Sequence, residues 1–283
     1  IRDKLVTGVQ TCALPIFGWR MLFWLGGAFP VALSAVLIAL LPESPRFLVR
    51  RPKRWPELNR LLRRMSRAAA DGTCFADAAE QKLERREGFP ALFERDRVRD
   101  TLALWVAFFL CLFSVYTAFS WLPTMLTSEG LNVSVAVSGL TVYNFGGVFG
   151  ALLCAVAIAR FGSRGPIVLC SALGAASAFL LQQTPAANTA LLIVGLGFHG
   201  LFVNAVQSTM FALCAHVYPT NVRATGTAAA LAVGRIGAIL SALIGAAIIA
   251  SGGANAYFGM LGLAMAGVLA ALIALRKHTA RVG

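Results

Sequence analysis

The stretch from Thr101 to Leu275 is almost free of charge, and this constrains the fold more than any other feature of the sequence. Its five charged residues are Glu129, Arg160, Arg164, Arg223 and Arg235. Between them lie apolar runs long enough to cross a bilayer, which takes about 20 apolar residues in a helix. With 58% hydrophobic residues in the whole chain, the pattern predicts an all-α integral membrane protein.

Length and lack of charge predict a bundle of seven transmembrane helices. The first is Met21–Leu41, which a long polar gap separates from the others. The six that follow are Thr101–Pro123, Val135–Ala159, Gly165–Leu181, Asn188–Val217, Ala224–Ala250 and Ala254–Leu275.

The basic residues fall in every second gap. The gap from Pro42 to Asp100 holds 15 of the 25 Lys and Arg residues, and the others on that side include Arg160, Arg164 and Arg223. Cytoplasmic loops are rich in Lys and Arg, so these gaps and the carboxyl terminus are predicted to be cytoplasmic. The net charge of +13 therefore indicates topology rather than nucleic-acid binding.

Three segments outside the main spans carry predictions of their own. The run Leu5–Ile16 resembles a translated sequencing adapter and lacks the residue order of a secretory signal, so residues 1–17 are expected to be a non-native leader. Pro56–Arg67 places leucines on one face among arginines, which predicts an amphipathic helix against anionic headgroups or under the bundle. A short element around Phe89–Phe93 is expected to lead into the next span.

Arg235 lies within a predicted span, where an arginine costs about 2.5 to 3.5 kcal/mol on insertion scales. We therefore expect it to face a wet cavity, a partner carboxylate or backbone carbonyls. Its charge fits an anion-binding site and fits equally well a structural pair that locks helix packing. Small residues recur every four positions from Gly226 to Ala250. Such a row favours close helix packing over direct lining of a cavity.

Polar side chains in other spans are further candidates for a substrate path. Asn204 and Gln207 form a polar stripe that could bind a substrate or a neighbouring helix. His199 borders the stripe, and a lone histidine is more often a hydrogen-bonding core residue than a proton carrier. Tyr116 could offer a ring and a hydroxyl to an aromatic acid, although a core or interface role is more common. The full set is Tyr116, Tyr143, Asn144, His199, Asn204, Gln207 and Arg235.

The sequence indicates neither an enzyme nor a metal or cofactor site. Its six cysteines are scattered without a CxxC spacing, and its three histidines are far apart. HExxH, GxSxG and the phosphate-binding loop motif GxxxxGK[ST] are absent from it. We therefore expect no catalysis and no bound cofactor.

Four motifs resemble the major facilitator superfamily of carriers. They are LPESPRFLVRR at Leu41–Arg51, RFGSRG at Arg160–Gly165, YPTNVRATGTA at Tyr218–Ala228 and GRIGAI at Gly234–Ile239. The resemblance implies that the seven spans are helices six to twelve of a twelve-helix fold. It implies that residues 18–41 end the amino-terminal half and that 42–100 form a cytoplasmic loop. Residues 101–275 would form the six-helix carboxyl-terminal half, with 276–283 as a cytoplasmic tail.

Within the superfamily, the chain resembles the aromatic-acid/proton symporters more than the sugar porters. WLPT at Trp121–Thr124 matches the first group, whereas the QQxxGxN and PETKG patterns of the second group are missing. The resemblance implies proton-coupled uptake of small organic anions through the inner membrane by alternating access, with lipid and the missing amino-terminal helices as partners. Arg160, Arg164 and Arg223 would either latch the cytoplasmic side or only anchor the topology.

Three alternatives stay open. One is a carrier of sugars or other metabolites from the same superfamily, and the others are a self-contained seven-helix receptor and a membrane subunit without transport. Glu129 is the only carboxylate between Thr101 and Leu275. Coupling to protons normally needs a titratable group in the membrane, so a symporter of this kind would carry its coupling acid upstream.

Overall fold

The computed structural model describes residues 8–41, 43–49, 51–64, 89–95, 97–185, 188–219 and 222–276. These residues form helices joined by turns, and no strand occurs among them. The chain divides into two compact units, Ile1–Arg86 and Glu87–Gly283.

The described residues of the first unit form three α-helices: α1 at Gly8–Leu40, α2 at Pro45–Val49 and α3 at Trp55–Arg64. The predicted span Met21–Leu41 lies almost entirely within α1, whose side chains are exposed from Gly26 to Leu40. Helix α1 begins inside the predicted leader, and residues 1–7 of that leader lie outside the described residues. Helix α3 matches the start of the predicted amphipathic helix, whose end at residues 65–67 also lies outside them.

Helices α2 and α3 pack on each other through leucines and arginines. Leu48 and Leu58 are fully buried. The Arg54 side chain donates to Glu57 over 2.8 Å, and this hydrogen bond raises the pKa of Arg54, which keeps the guanidinium charged. The Arg51 guanidinium lies 4.5 Å from the centroid of the Phe47 ring, within the range of a cation–π contact.

The second unit begins with a 3₁₀ turn at Phe89–Phe93, as expected, and continues as five long helices. They are α4 at Val98–Ser128, α5 at Val133–Phe161, α6 at Arg164–Gln182, α7 at Thr189–Val217 and α8 at Arg223–Ala274. Within the described part of the chain, these five helices are long and apolar enough to cross a membrane.

Helix α8 covers two of the predicted spans. Its 52 residues would extend about 78 Å as one straight helix, more than twice the thickness of the hydrocarbon core. The helix is broken at Gly252 and Gly253, and Gly253 has a φ of 56°, which glycine adopts without strain. The break coincides with the predicted gap at residues 251–253. The described part of this unit thus has four unbroken helices and the two arms of α8 for six predicted spans, and the count of seven crossings stays a prediction.

A carboxylate from another turn caps the second arm of α8. The Glu129 side chain follows α4 and accepts a hydrogen bond from the Ala254 amide over 2.8 Å. A negative charge at the first amides of a helix is favourable, because these amides have no partner within the helix. At the same end of the bundle, the Gln182 amide donates to Asn255. Glu129, in the turn after α4, therefore has a structural role that the sequence did not indicate.

Helices α5 and α7 approach so closely that their backbones touch. A Cβ atom built at Gly200 would overlap the carbonyl oxygen of Tyr143, and one built at Gly150 would overlap that of Leu201. Such contacts let two helices pack without the hydrophobic effect that lipid removes. Helix α4 packs against α8 in the same way, where Gly237 faces the backbone of Phe109.

The row of small residues on α8 turns away from this contact. In the first arm of α8, the small residues that are buried are Gly226, Ala230, Gly234, Gly237, Ser241 and Gly245. The predicted row of every fourth residue instead ends in Ala242, Ala246 and Ala250, which are exposed. Four residues turn a helix by about 400°, so such a row drifts about 40° per step, and the buried stripe needs steps of three as well as four. The prediction that small residues of this helix pack closely was right. The predicted spacing of four residues throughout was wrong.

Two residues at the start of α4 hold the end of α8. Asp100 is buried and accepts a hydrogen bond from the Arg276 amide over 2.8 Å. The Arg99 side chain donates to the carbonyl oxygen of Ala274 over 3.1 Å, one of the carbonyls that a helix end leaves without a partner. These bonds join the amino-terminal end of α4 to the carboxyl-terminal end of α8.

We expect Gly200→Ala to lower the melting temperature of the bundle, because the added methyl group forces α5 and α7 apart. Overpacking costs about 1 to 3 kcal/mol. Thermal unfolding of the purified chain in detergent, followed by circular dichroism, measures the effect. Gly165→Ala is the matched control, since no atom lies within 4 Å of a Cβ built there. Equal melting of the two variants would contradict the close approach.

Candidate functional site

Arg235 and Tyr116 form a pair at the contact of α8 with α4. The Arg235 guanidinium donates to the Tyr116 hydroxyl, and its carbon lies 5.6 Å from the centroid of the tyrosine ring. The structure gives this arginine a phenol as its partner, rather than a carboxylate or a backbone carbonyl. No ion pair joins Arg235 to a carboxylate among the residues that the structure describes.

The surroundings of the pair are apolar. Arg235 is exposed, and Tyr116 is half-buried. Phe119, Ile236 and Ile239 lie within about one helical turn of the pair and are more than half exposed. The site is thus a single cation with an aromatic ring beside it on an otherwise apolar helix surface. A guanidinium carries five N–H donors, and Tyr116 accepts from one of them.

The carboxylates nearest to this helix pair in sequence have other partners. Glu129 accepts from the Ala254 amide, and Asp100 accepts from the Arg276 amide. The charge of Arg235 is therefore not neutralised by an acid within the described part of this unit. A guanidinium in this state can bind a carboxylate by two parallel hydrogen bonds, which is its strongest mode of anion recognition.

Tyr143 and His199 belong to a second, buried cluster. Their ring centroids are 6.0 Å apart, and each side chain is 1% exposed. The His199 Nδ1 atom is hydrogen-bonded to the Ser177 hydroxyl over 2.9 Å, and this bond links α7 to α6. Nε2 has no hydrogen-bond partner among the described residues. Burial and the serine partner favour the interpretation of His199 as a core residue.

The two asparagines bond to their own helices. Asn144 donates to the carbonyl oxygen of Leu140 over 2.9 Å, and Asn204 donates to that of Gly200 over 2.9 Å. Gln207 is half-buried and makes no hydrogen bond to another residue that the structure describes. Of the polar stripe predicted on α7, Asn204 is therefore bonded within α7 itself, whereas Gln207 has no such bond among the described residues.

The three basic loop residues are held differently. Arg223 donates to the carbonyl oxygen of Tyr218 over 3.3 Å, a contact within its own loop. Arg160 lies in the last turn of α5 and Arg164 begins α6, and both are exposed. Neither forms an ion pair within the described part of the chain.

The structure therefore separates the predicted site residues into two groups. Tyr116 and Arg235 meet at the α4–α8 contact, whereas Tyr143, His199 and Asn204 lie along the α5–α7 contact. The sequence did not reveal Ser177, because a serine in a helix has no signature that marks a partner on another helix. No cluster of three or more potential metal ligands occurs among the described residues.

Comparisons with known proteins agree with the sequence motifs. A family model described as "Sugar (and other) transporter" matches residues 6–279. The 4-hydroxybenzoate transporters PcaK of Acinetobacter baylyi and Pseudomonas aeruginosa are 34% and 35% identical to the chain, over 85% and 86% of its length. The gallate transporter of Pseudomonas putida is 33% identical over 92% of the chain.

These matches cover the relatives only in part. The chain spans 53%, 54% and 58% of the three proteins, about half of their length. The resemblance that the motifs predicted is confirmed. The matched family and the relatives are transporters, so the chain is a transporter sequence and not an enzyme, as predicted.

We expect Ser177→Ala to destabilise the bundle, because the buried His199 ring loses its partner at Nδ1. Leaving a buried polar group without a partner costs about 1 to 3 kcal/mol. The comparison is thermal unfolding in detergent against Ser138→Ala. That control removes an exposed serine hydroxyl, which donates to the backbone carbonyl oxygen of Ser134 in the same helix. If both variants melt at one temperature, the Ser177–His199 bond does not contribute to stability.

Proposed function

Because the chain belongs to the sugar (and other) transporter family, we propose that it forms part of a secondary carrier for small aromatic or other organic acids. The relatives named for 4-hydroxybenzoate and gallate support this substrate class. The carrier takes up its substrate across the inner membrane together with protons.

We propose that the chain supplies helices six to twelve of a twelve-helix fold. Helix α1 takes the place of helix six, α4 to α7 those of seven to ten, and the two arms of α8 those of eleven and twelve. The break at Gly252 and Gly253 supports two crossings, because each arm has the length of one span. Two halves then rock around a site near the bilayer midplane, with the carboxyl terminus in the cytoplasm.

The observation that carries the substrate class is the Arg235–Tyr116 pair. A cation without an acidic partner binds the carboxylate of an organic acid, and the apolar surface around it accepts a ring. Aromatic rings prefer offset or edge-to-face contacts with one another, and Tyr116 offers such a ring beside the guanidinium. A substrate with a carboxylate on an aromatic ring satisfies both groups at once.

The coupling proton binds outside this part of the carrier. Glu129 and Asp100 are engaged at helix ends, and His199 lies in the core with a serine partner. Gln207 and Asn204 carry no proton that titrates. The coupling acid therefore belongs to helices upstream of this chain, where a carboxylate in a span would serve.

The loop arginines have separate roles. Arg223 latches the cytoplasmic side by pairing with acids of the other half, since its hydrogen bond within the described residues is to a backbone carbonyl. Arg160 and Arg164 anchor the topology through the positive charge of a cytoplasmic loop.

The description of the matching family favours a second candidate, a carrier of sugars. A sugar has no carboxylate for Arg235 to bind. Its uptake would therefore depend little on the charge of this residue, and Arg235 would then serve packing alone.

Arg235→Gln should raise the KM for 4-hydroxybenzoate uptake by about 10- to 150-fold, the value of a hydrogen bond to a charged group. The assay is uptake of the labelled acid by vesicles that contain the protein encoded at the native locus. Arg235→Lys keeps the charge and should lie in between. Arg276→Gln is the control, because Arg276 bonds to the described residues through its backbone amide and not through its side chain. Unchanged uptake in Arg235→Gln would refute the anion site.

Addition of 4-hydroxybenzoate to lightly buffered vesicles should make the outside medium more alkaline, because protons enter with the acid. A pH electrode records the change, and a proton ionophore abolishes it. Glu129→Gln should keep this proton movement, since an amide oxygen can still accept from Ala254. Loss of proton movement with uptake intact would place the coupling group at Glu129.

A further inference from the structure

An apolar groove runs along the outside of the bundle where α5, α6 and α7 meet. It encloses about 510 Å³, within the range of about 300 to 1,000 Å³ that is typical of ligand sites. Its wall includes Gly150, Ala157 and Phe161 of α5 and Leu169 of α6, with Phe202 of α7. None of the residues that line it is charged.

The groove has the length of one lipid leaflet. On α5 it extends from Gly150 to Phe161, which is about three helical turns or about 16 Å. Half of a hydrocarbon core is about 15 Å thick. One end of the groove lies at the α5–α6 turn, where Gly165 and Pro166 complete its wall, and the other end lies near the middle of α5.

Two arginines stand at the end of the groove that faces the α5–α6 turn. Arg160 follows Leu153 and Ala157 at helical spacing, so it shares their face of α5. Arg164 precedes the groove residue Gly165 at the start of α6. Both arginines are exposed, and neither has a hydrogen-bond or ion-pair partner among the described residues. The amino-terminal end of α6 adds a partial positive charge at this place.

We propose that the groove binds an acyl chain of an anionic phospholipid, whose phosphate lies between Arg160 and Arg164. The apolar wall and the length of one leaflet fit a chain, and the two cations fit a headgroup at the membrane surface. Basic sites between helices on the cytoplasmic side bind anionic headgroups in other membrane proteins. The groove is too long and too apolar for a small organic anion, which separates it from the Arg235 site.

The charges predict selectivity among lipids. One basic group near a membrane surface contributes about a fivefold preference for an anionic lipid, so two contribute about 30-fold. Phosphatidylcholine offers the same acyl chains without net charge and should fill the groove only weakly.

Native mass spectrometry of the purified chain tests the proposal. The chain receives equal amounts of phosphatidylglycerol and phosphatidylcholine, and the bound lipids are counted. Among complexes with one bound lipid, we expect those with phosphatidylglycerol to outnumber those with phosphatidylcholine about 30-fold. The double variant Arg160→Gln/Arg164→Gln should bring this ratio close to one. Arg276→Gln removes the same kind of charge elsewhere and should keep the preference.

A second pair of variants tests the groove itself. Ala157→Phe fills it and should reduce phosphatidylglycerol binding at least about tenfold. Ala155→Phe adds the same ring at an exposed position of α5 that does not line the groove, and it should bind as the parent does. Circular dichroism shows whether each variant keeps its helices, and the arginine variants decide alone if Ala157→Phe does not fold.

Two results would overturn the proposal. One is an equal preference for phosphatidylglycerol in the double arginine variant and in Arg276→Gln. The other is equal binding by folded Ala157→Phe and Ala155→Phe, which would show that lipid binds by its headgroup alone and not in the groove.

Discussion

A backbone amide that enters hydrocarbon needs a hydrogen-bond partner within the protein, because lipid offers none. The second unit follows this constraint with long helices and short turns throughout its described part. Polar side chains follow it as well, since Asn144 and Asn204 donate to carbonyls one turn back in their own helices. Helices satisfied in this way present mainly apolar surfaces, so close contact holds them together. The backbone contact between Gly200 and Tyr143 is the clearest instance.

Arg235 differs from these polar residues because it bonds to another helix. Its hydrogen bond crosses from α8 to α4 and ends on a neutral hydroxyl, so the guanidinium has no counterion among the residues that the structure describes. The cost of placing an arginine in a span is thus not offset by an ion pair here. A bound organic anion would supply that counterion, as expected of a carrier of organic acids.

Local composition was enough to predict the long helices of the second unit and the break near Gly253, because both depend on runs of apolar residues and on glycine. The buried stripe on α8 needed more, since a helix does not repeat at whole numbers of residues. Arg235 and Tyr116 were recognised singly, but their contact joins positions 119 residues apart. The same holds for Asp100 with Arg276 and for Ser177 with His199. Such pairs depend on how helices pack, and no short sequence pattern contains that information.

The carboxylate of Glu129 gives the broken helix α8 a mechanical property. Glu129, in the turn after α4, binds the first amide of the second arm. The bend between the two arms of α8 is therefore held by a contact from another helix. Glu129 is exposed, and a negative charge at an exposed helix start contributes about 0.3 to 1 kcal/mol, which favours this bend. A displacement of the first arm of α8 would then be transmitted to the end of α4 as well as to the second arm.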